Sequence, residues 1–324
     1  MKIFQTTAVA CLVFLGLVAS AVASDDYPNR GIRLINPQAA GSSADLIART
    51  FASELTKNLG KTVFVENRAG AGGTIGAAAG AQSAPDGYTL LMTASPLFSI
   101  VPHLYKELPF DPLKDFESII VLGSFNNILV VNPKVPAADL KELIALAKSE
   151  PGKLTFGSSG NGTTTHMASE MFMQMANIKL LHVPYRSGAP ATNAILAGQI
   201  DMMFHNTPAV LPHIQAGTLR AIASTGSRRE PALPDVPTLQ ELGLPKFQAS
   251  GWFSLSVPRG TPSDVVRKLS EAAQRSVQSE AFRSTLSTNA FEVVGGTPKD
   301  MDRMIKEEVD RWKPIVDAAD IKLD

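Results

Sequence analysis

The chain has 324 residues, 44% of them hydrophobic, and carries 30 basic against 30 acidic side chains. That length suits two domains of ordinary size, with ample material for a core. The absence of net charge argues against nucleic acid or an acidic membrane surface as the main partner.

In chain order, the first segment is not part of the fold. Lys2 supplies a positive end, residues 8–22 are almost wholly apolar, and Ala21, Val22 and Ala23 form an A-x-A site. This reads as a secretory signal peptide, residues 1–23, cut after Ala23. The apolar run is too short for a firm membrane span. Cleavage leaves 29 basic against 30 acidic groups and removes Cys11, the single cysteine. The exported chain is therefore expected to have no disulfide and no thiol chemistry, which fits a bacterial periplasm.

Strands and helices then alternate. "GIRLINP" is a short apolar strand. "SADLIARTFASELTKNLG" follows with Leu46, Ile47, Phe51 and Leu55 at helical spacing and Gly60 as its stop. "KTVFVEN" is the next strand, a Gly-rich turn opens an Ala-rich helix, and "YTLLMTA" is a third strand. A second strand and helix series runs from about Asn127 to Thr225, and the tail from Pro262 is mostly helical. The pattern predicts an α/β protein of two hinged lobes, an architecture common among proteins that close on a small ligand. Each lobe is a mostly parallel sheet flanked by helices, with a ligand cleft between the lobes. Lobe one is expected to be discontinuous, residues 24–126 plus 234–324, with lobe two, residues 127–233, inserted.

Ligands of open α/β sheets sit beyond the carboxyl ends of strands. The loops expected there are rich in small neutral residues. Ala39, Ala40, Gly41, Ser42 and Ser43 open one helix, and Ser158, Ser159, Gly160, Asn161, Thr163 and Thr164 open another. Ser95, Tyr185, Arg186 and His205 lie on further strand-end loops. A helix N-terminus presents unpaired N–H groups and favours an anion by roughly 0.3–1 kcal/mol, up to about 2 when partly buried. Two such ends facing each other across a cleft suit a carboxylate. Taken singly, each is an ordinary cap, with Ser43 and Thr163 as the capping residues. Phe98, Tyr185, Phe204 and Trp252 serve either as an apolar wall for an aromatic acid or as core.

Other chemistries fit less well. The loop "GSSGNGTTTH" lacks the Lys-Ser/Thr pair of a P-loop, and "GAGGTIG" at residues 70–76 reads as a structural turn rather than a dinucleotide site, so no cofactor is expected. His103, His166, His182, His205 and His213 have no metal-binding spacing, and no metal is expected. His182, in an apolar strand, reads as structural. A periplasmic serine hydrolase using Ser158 or Ser159 with His166 is the alternative reading, although the nucleophile-elbow pattern lacks its last glycine. A ligand sensor for a membrane kinase is a further alternative, since it needs only the same ligand-driven closure.

The stretches "YPNRGIRLINPQAAGSSADLIAR", "VFVENRAGAGGTIGAAAGAQSAPDGYTLLM", "GKLTFGSSGNGTTTHMASEMF", "HVPYRSGAPA" and "GWFSLSVPRGTP" together resemble the periplasmic receptors of tripartite tricarboxylate transporters, the Bug-type solute receptors. The resemblance runs from about Tyr27 to the C-terminus. It implies the two-lobed, type II-like fold of a periplasmic binding protein, and a protein that is not an enzyme but a monomer closing on a small organic carboxylate for delivery to membrane permease subunits. It also implies that the carboxylate is held by backbone N–H groups and ordered waters from two loops, residues 39–43 and 158–164. The sequence departs from the usual pattern at Gly41-Ser42, where a Gly-Gly pair is common. It departs again at Pro184-Tyr185-Arg186-Ser187-Gly188, where Pro-Tyr-Lys-Gly-Gly is common. Arg186 is placed to reach the far end of a ligand, and Asp45 to support its loop rather than meet an anion.

Overall fold

The computed structural model describes residues 27–319; the expected signal peptide lies outside them. The first sheet begins with β1 (Ile32–Asn36), β2 (Val63–Asn67), β3 (Thr89–Ala94) and β4 (Phe116–Phe125), and is completed by β10 (Gly251–Pro258) and β11 (Glu292–Gly295). Its order is β11-β4-β10-β3-β1-β2. The second sheet holds β5 (Asn127–Val131), β6 (Thr155–Ser158), β7 (Leu181–Pro184), β8 (Met202–Asn206) and β9 (Arg220–Ser224), in the order β7-β6-β8-β5-β9. Both sheets are mixed. β10 runs antiparallel to β3 and β4, and β5 runs antiparallel to β8 and β9. The reason lies in the connections: β5 follows β4 directly from the other lobe and β10 returns from it, so each enters its sheet from the opposite end to the strands beside it.

Helices cover both faces. β1 is buried on both sides, with Ile32 and Leu34 in one cluster and Ile35 in another, which is why it reads as a continuous apolar run. α1 (Ser43–Leu59) lays Ile47, Ala48, Phe51 and Leu55 against the first of these clusters. Ser42, not Ser43, caps it, and Gly60 ends it in a left-handed conformation, φ 69°. α2 (Thr74–Ala81) follows the Gly-rich turn, in which Gly70, Ala71, Gly72 and Gly73 all have positive φ. A Cβ on Gly76 would stand 2.8 Å from the Arg68 carbonyl oxygen, so this glycine serves close packing. α3 (Pro96–Ser99) and α4 (Val101–Leu104) connect β3 to β4. The second sheet is flanked by α5 (Leu140–Ser149), α6 (Thr164–Ala176), α7 (Gly188–Ala197) and α8 (Thr207–Gln215). The tail adds α9 (Ser263–Gln278), α10 (Glu280–Thr288) and α11 (Pro298–Ala319).

The lobes are joined by segments that are bonded to one another. Only Asn126 separates β4 from β5. Its side chain accepts a hydrogen bond from Ser250 Oγ at 2.6 Å. Asn127 Nδ2 donates to the Ala249 carbonyl at 2.7 Å, and the Asn127 amide donates to Thr225 Oγ1 at 2.9 Å. α11 spans both lobes: Met301 packs in a first-sheet cluster, whereas Trp312 and Val316 pack under the second sheet. Leu239, Leu244 and Phe247, which the sequence reading assigns to lobe one, also pack under the second sheet. A return segment that crosses late leaves no signature in local periodicity.

Candidate functional site

A cavity of about 670 Å³ lies between the two sheets. The carboxyl ends of β1, β3, β6 and β8 deliver Asn36, Ala94, Ser159 and His205 to it. The N-termini of α1, α2, α6, α7 and α8 all begin at its wall. Five helix starts aimed at one space make it electropositive without a cluster of basic side chains.

The loop before α1 is built around Asp45. This buried carboxylate accepts from the Gly41 amide at 3.0 Å, from Arg49 Nε at 3.0 Å and from Asn67 Nδ2 at 2.9 Å. Asn67 Nδ2 also donates to the Gln38 carbonyl at 3.0 Å, tying β2 to the loop. Burial alone would raise the Asp45 pKa. The bonds from Arg49, Gly41 and Asn67 outweigh it and hold the carboxyl below its usual range. Among the described residues the only Asp or Glu lining the cavity is therefore engaged with the loop it shapes. Ser42 Oγ accepts from the Asp45 amide at 3.2 Å, while the amides at the start of α1 have no intrahelical acceptor.

The loop before α6 is braced in the same way by side chains. Thr165 Oγ1 accepts from the Ser159 amide at 2.9 Å, and Thr163 Oγ1 donates to the Gly160 carbonyl at 2.7 Å. His166 Nδ1 accepts from the Gly162 amide at 3.2 Å. Ser158 Oγ lies 2.7 Å from His182 Nε2, and the rings of His166 and His182 stack with centroids 4.2 Å apart. Burial and the neighbouring His166 push the His182 pKa down to about 3. The two lobes touch here, since a Cβ on Gly72 would stand 3.0 Å from the Asn161 carbonyl oxygen.

This geometry does not assemble the hydrolase of the alternative reading. Ser158 is fully buried and its partner is His182, not His166. The nitrogen of His166 nearest the loop is already accepting from Gly162. Among the described residues no hydrogen bond joins His166 to Ser158 or Ser159, and no group of three or more His, Cys, Asp or Glu side chains is placed to hold a metal. His205 is also buried. It accepts from the Asn206 amide at Nδ1, 2.8 Å, so Nε2 carries the hydrogen facing the Gly188 carbonyl at 3.3 Å. Burial pushes its pKa down to about 4, so it stays neutral and positions the start of α7.

Of the residues singled out from sequence, Gly41, Ser42, Ser43, Ser159, Thr163, Thr164 and His205 line the cavity. Ala39, Gly160, Asn161, Tyr185 and Arg186 line a separate groove of about 730 Å³ that shares only Gly72 with it. Ala40 is exposed and lines neither. Ser95 is buried at the start of α3, its amide donating to the Trp252 carbonyl at 2.9 Å. The aromatic wall is not formed by the four residues considered for it. Phe98 stacks on Trp252 within the first lobe, Phe204 lies in the second-sheet core, and Tyr185 lines the other groove. Phe125 and Phe253 are the rings that face the cavity. Sequence reasoning missed Arg49, one turn after Asp45 in α1, together with Asn36 and Asn206. The spacing of Asp45 and Arg49 is the i, i+4 signal that would have found the first.

Residues 47–321 match the family described as the tripartite tricarboxylate transporter family receptor. The chain belongs to this family. It is 37% identical over 308 residues to BugT of Bordetella pertussis, covering 94% of each chain. Among solved structures, Rpa4515 of R. palustris with adipate is 31% identical with TM-score 0.88, covering 92% of this chain and 99% of that one. MatC from Rhodopseudomonas palustris with bound malate is 31% identical with TM-score 0.85, covering 90% and 100%. The fold is shared with these solved receptors along nearly their whole length.

Proposed function

We propose that the chain is a periplasmic receptor that closes its two lobes on a small organic carboxylate and delivers it to the membrane subunits of a tripartite tricarboxylate-type transporter. The observation that carries this reading is the interlobe cavity at which the helices starting at Ser43 and Thr164 converge, with its single carboxylate, Asp45, already engaged. Such a site favours an anion small enough for about 670 Å³ and offers no free negative side chain to a cation. Related proteins solved with adipate and malate support the ligand class. Closure turns on the bonded crossings at Asn126, Asn127 and Ser250. The signal-peptide reading of residues 1–23 supports export to the periplasm.

The test is a thermal-shift screen of the chain from Ser24, unfolded and refolded to strip carried ligand. The panel holds aliphatic mono-, di- and tricarboxylates, aromatic acids, amino acids, sugars and nicotinamide cofactors. A ligand at about 100 times its dissociation constant stabilises by roughly 2.7 kcal/mol. A shift from carboxylates is expected. A shift from sugars or nucleotides alone would refute the proposal.

A further inference from the structure

The loop before α6 carries Ser159, Thr163, Thr164 and Thr165 into the cavity, and two histidines that do not line the cavity hold its shape. His166 is buried, and its Nδ1 accepts from the Gly162 amide at 3.2 Å. A ring nitrogen that accepts carries no hydrogen, so the neutral ring keeps its hydrogen on Nε2, which lies 3.5 Å from Glu170 Oε1. Gly160 is held through a relay. Its amide donates to Ser158 Oγ at 3.3 Å, and Ser158 Oγ lies 2.7 Å from His182 Nε2. Burial and the neighbouring His166 push the His182 pKa down to about 3, so this ring is neutral and its Nε2 is free to take the serine hydroxyl hydrogen. The two rings stack with centroids 4.2 Å apart.

We propose that the stacked pair of His166 and His182 is a proton-responsive positioning element of the carboxylate site: with both rings neutral it holds the loop before α6 in its binding shape, and protonation of His166 releases the ligand. The inference rests on the receptor reading above. A hydrogen added at Nδ1 of His166 points at the Gly162 N–H, and two donors cannot occupy that space unless the loop moves. Two features single out His166 as the ring that takes the proton. Glu170 stands beside its Nε2 and supplies the counter-charge that a buried imidazolium needs. His182 is held neutral, and a second charge 4.2 Å away would be repelled. Glu170 and His182 are partly exposed, so water reaches the pair. The other elements packed here bring little charge. β6 presents Phe156 and Ser158, and β8 beside it presents Met202. α4 sets Leu104 against Gly162, and the charged neighbours of its His103 are Lys313 and Asp317 of α11.

The experiment is calorimetric titration of the refolded protein with adipate and malate, the acids bound in the related structures, from about pH 8 to about pH 6, where histidines ordinarily titrate and carboxylates stay ionised. In the wild type affinity falls as pH falls, by up to about tenfold per pH unit for one proton, and binding releases protons to the buffer. Nitrogen-15 NMR of the ligand-free protein, labelled at histidine and glycine, shows the His166 ring passing from the Nε2–H tautomer to the imidazolium as affinity falls, with the Gly162 amide shifting alongside. His166→Asn places a carboxamide oxygen near the position of Nδ1 and does not titrate. It binds more tightly than His166→Leu at every pH and loses the pH dependence. Affinity that is flat across the range in the wild type, a pH dependence retained in His166→Asn, or a Gly162 amide that ignores the titration of His166 overturns the inference and leaves the receptor reading standing. No binding by adipate, malate or any acid of the wider panel overturns the receptor reading and this inference with it. The wild-type heats and the ring signals stand whether or not the variants fold.

Discussion

The contact between Gly72 and the loop before α6 makes lobe closure testable without touching a ligand-binding side chain. A Cβ at position 72 would lie 3.0 Å from the Asn161 carbonyl oxygen, against 3.4 Å or more for ordinary contact. Closing on an alanine there therefore requires the lobes to back off by a few tenths of an ångström. Overpacking of this kind costs roughly 1–3 kcal/mol. Gly72 also has φ +66°, so alanine brings backbone strain of about 1–2 kcal/mol whatever surrounds it. Gly217 separates the two effects, because it has φ +70° with nothing within 4 Å of its added Cβ. The expected outcome is that Gly72→Ala and Gly217→Ala lose similar stability in a melting experiment. In titration with the best-binding carboxylate, only Gly72→Ala should lose affinity, by about 5- to 150-fold. Wild-type affinity in Gly72→Ala would mean that the bound state does not bring these loops together, and the closure argument would fail.

Other substitutions probe the supports of the site. Asp45→Asn replaces an acceptor of three bonds with a group that must turn a donor toward other donors, and should cost about 2 kcal/mol, or roughly 4–8 °C in melting temperature. Because the folded Asp45 pKa is lowered, its contribution is present above its unfolded pKa and is lost as pH falls below about 3.8. His205 works over a different window. Its folded pKa of about 4 lies below the unfolded value of 6.5, so the unfolded chain binds the proton first and stability falls as pH drops from 6.5 toward 4. His205→Asn keeps an acceptor near the Asn206 amide and should flatten that part of the stability profile; an unchanged slope would show that His205 is not held neutral. Trp312→Ala removes a fully buried ring from α11, and with it the bond from Nε1 to Glu308 at 2.8 Å, and should cost about 3–5 kcal/mol in chemical denaturation.

Much of this architecture is legible in local patterns. The apolar run of β1, the helical spacing of Leu46 to Leu55 with its Gly60 stop, and the small-residue loops after β1 and β6 are all short-range features. What was hidden is non-local. The pairing of Ser158 with His182 joins residues 24 apart that meet only because β6 and β7 run side by side. Sequence proximity suggested His166 instead, which is engaged by Gly162 one turn away. Arg186 follows a strand in the chain, yet it lines the other groove, because the backbone turns before α7 begins. Asn36 was invisible for a different reason: in an apolar strand it reads as the last residue before a turn, and only the structure shows that both its amide atoms are buried without a hydrogen-bond partner.

The central claim is that a carboxylate is held between the starts of α1 and α6, and a crystal structure of the complex with the tightest-binding carboxylate tests it most directly. The account predicts carboxylate oxygens about 2.7–3.2 Å from backbone N–H groups at both helix starts, directly or through one ordered water. A carboxylate seated instead on Arg186 in the second groove, or held by one lobe alone, would contradict it.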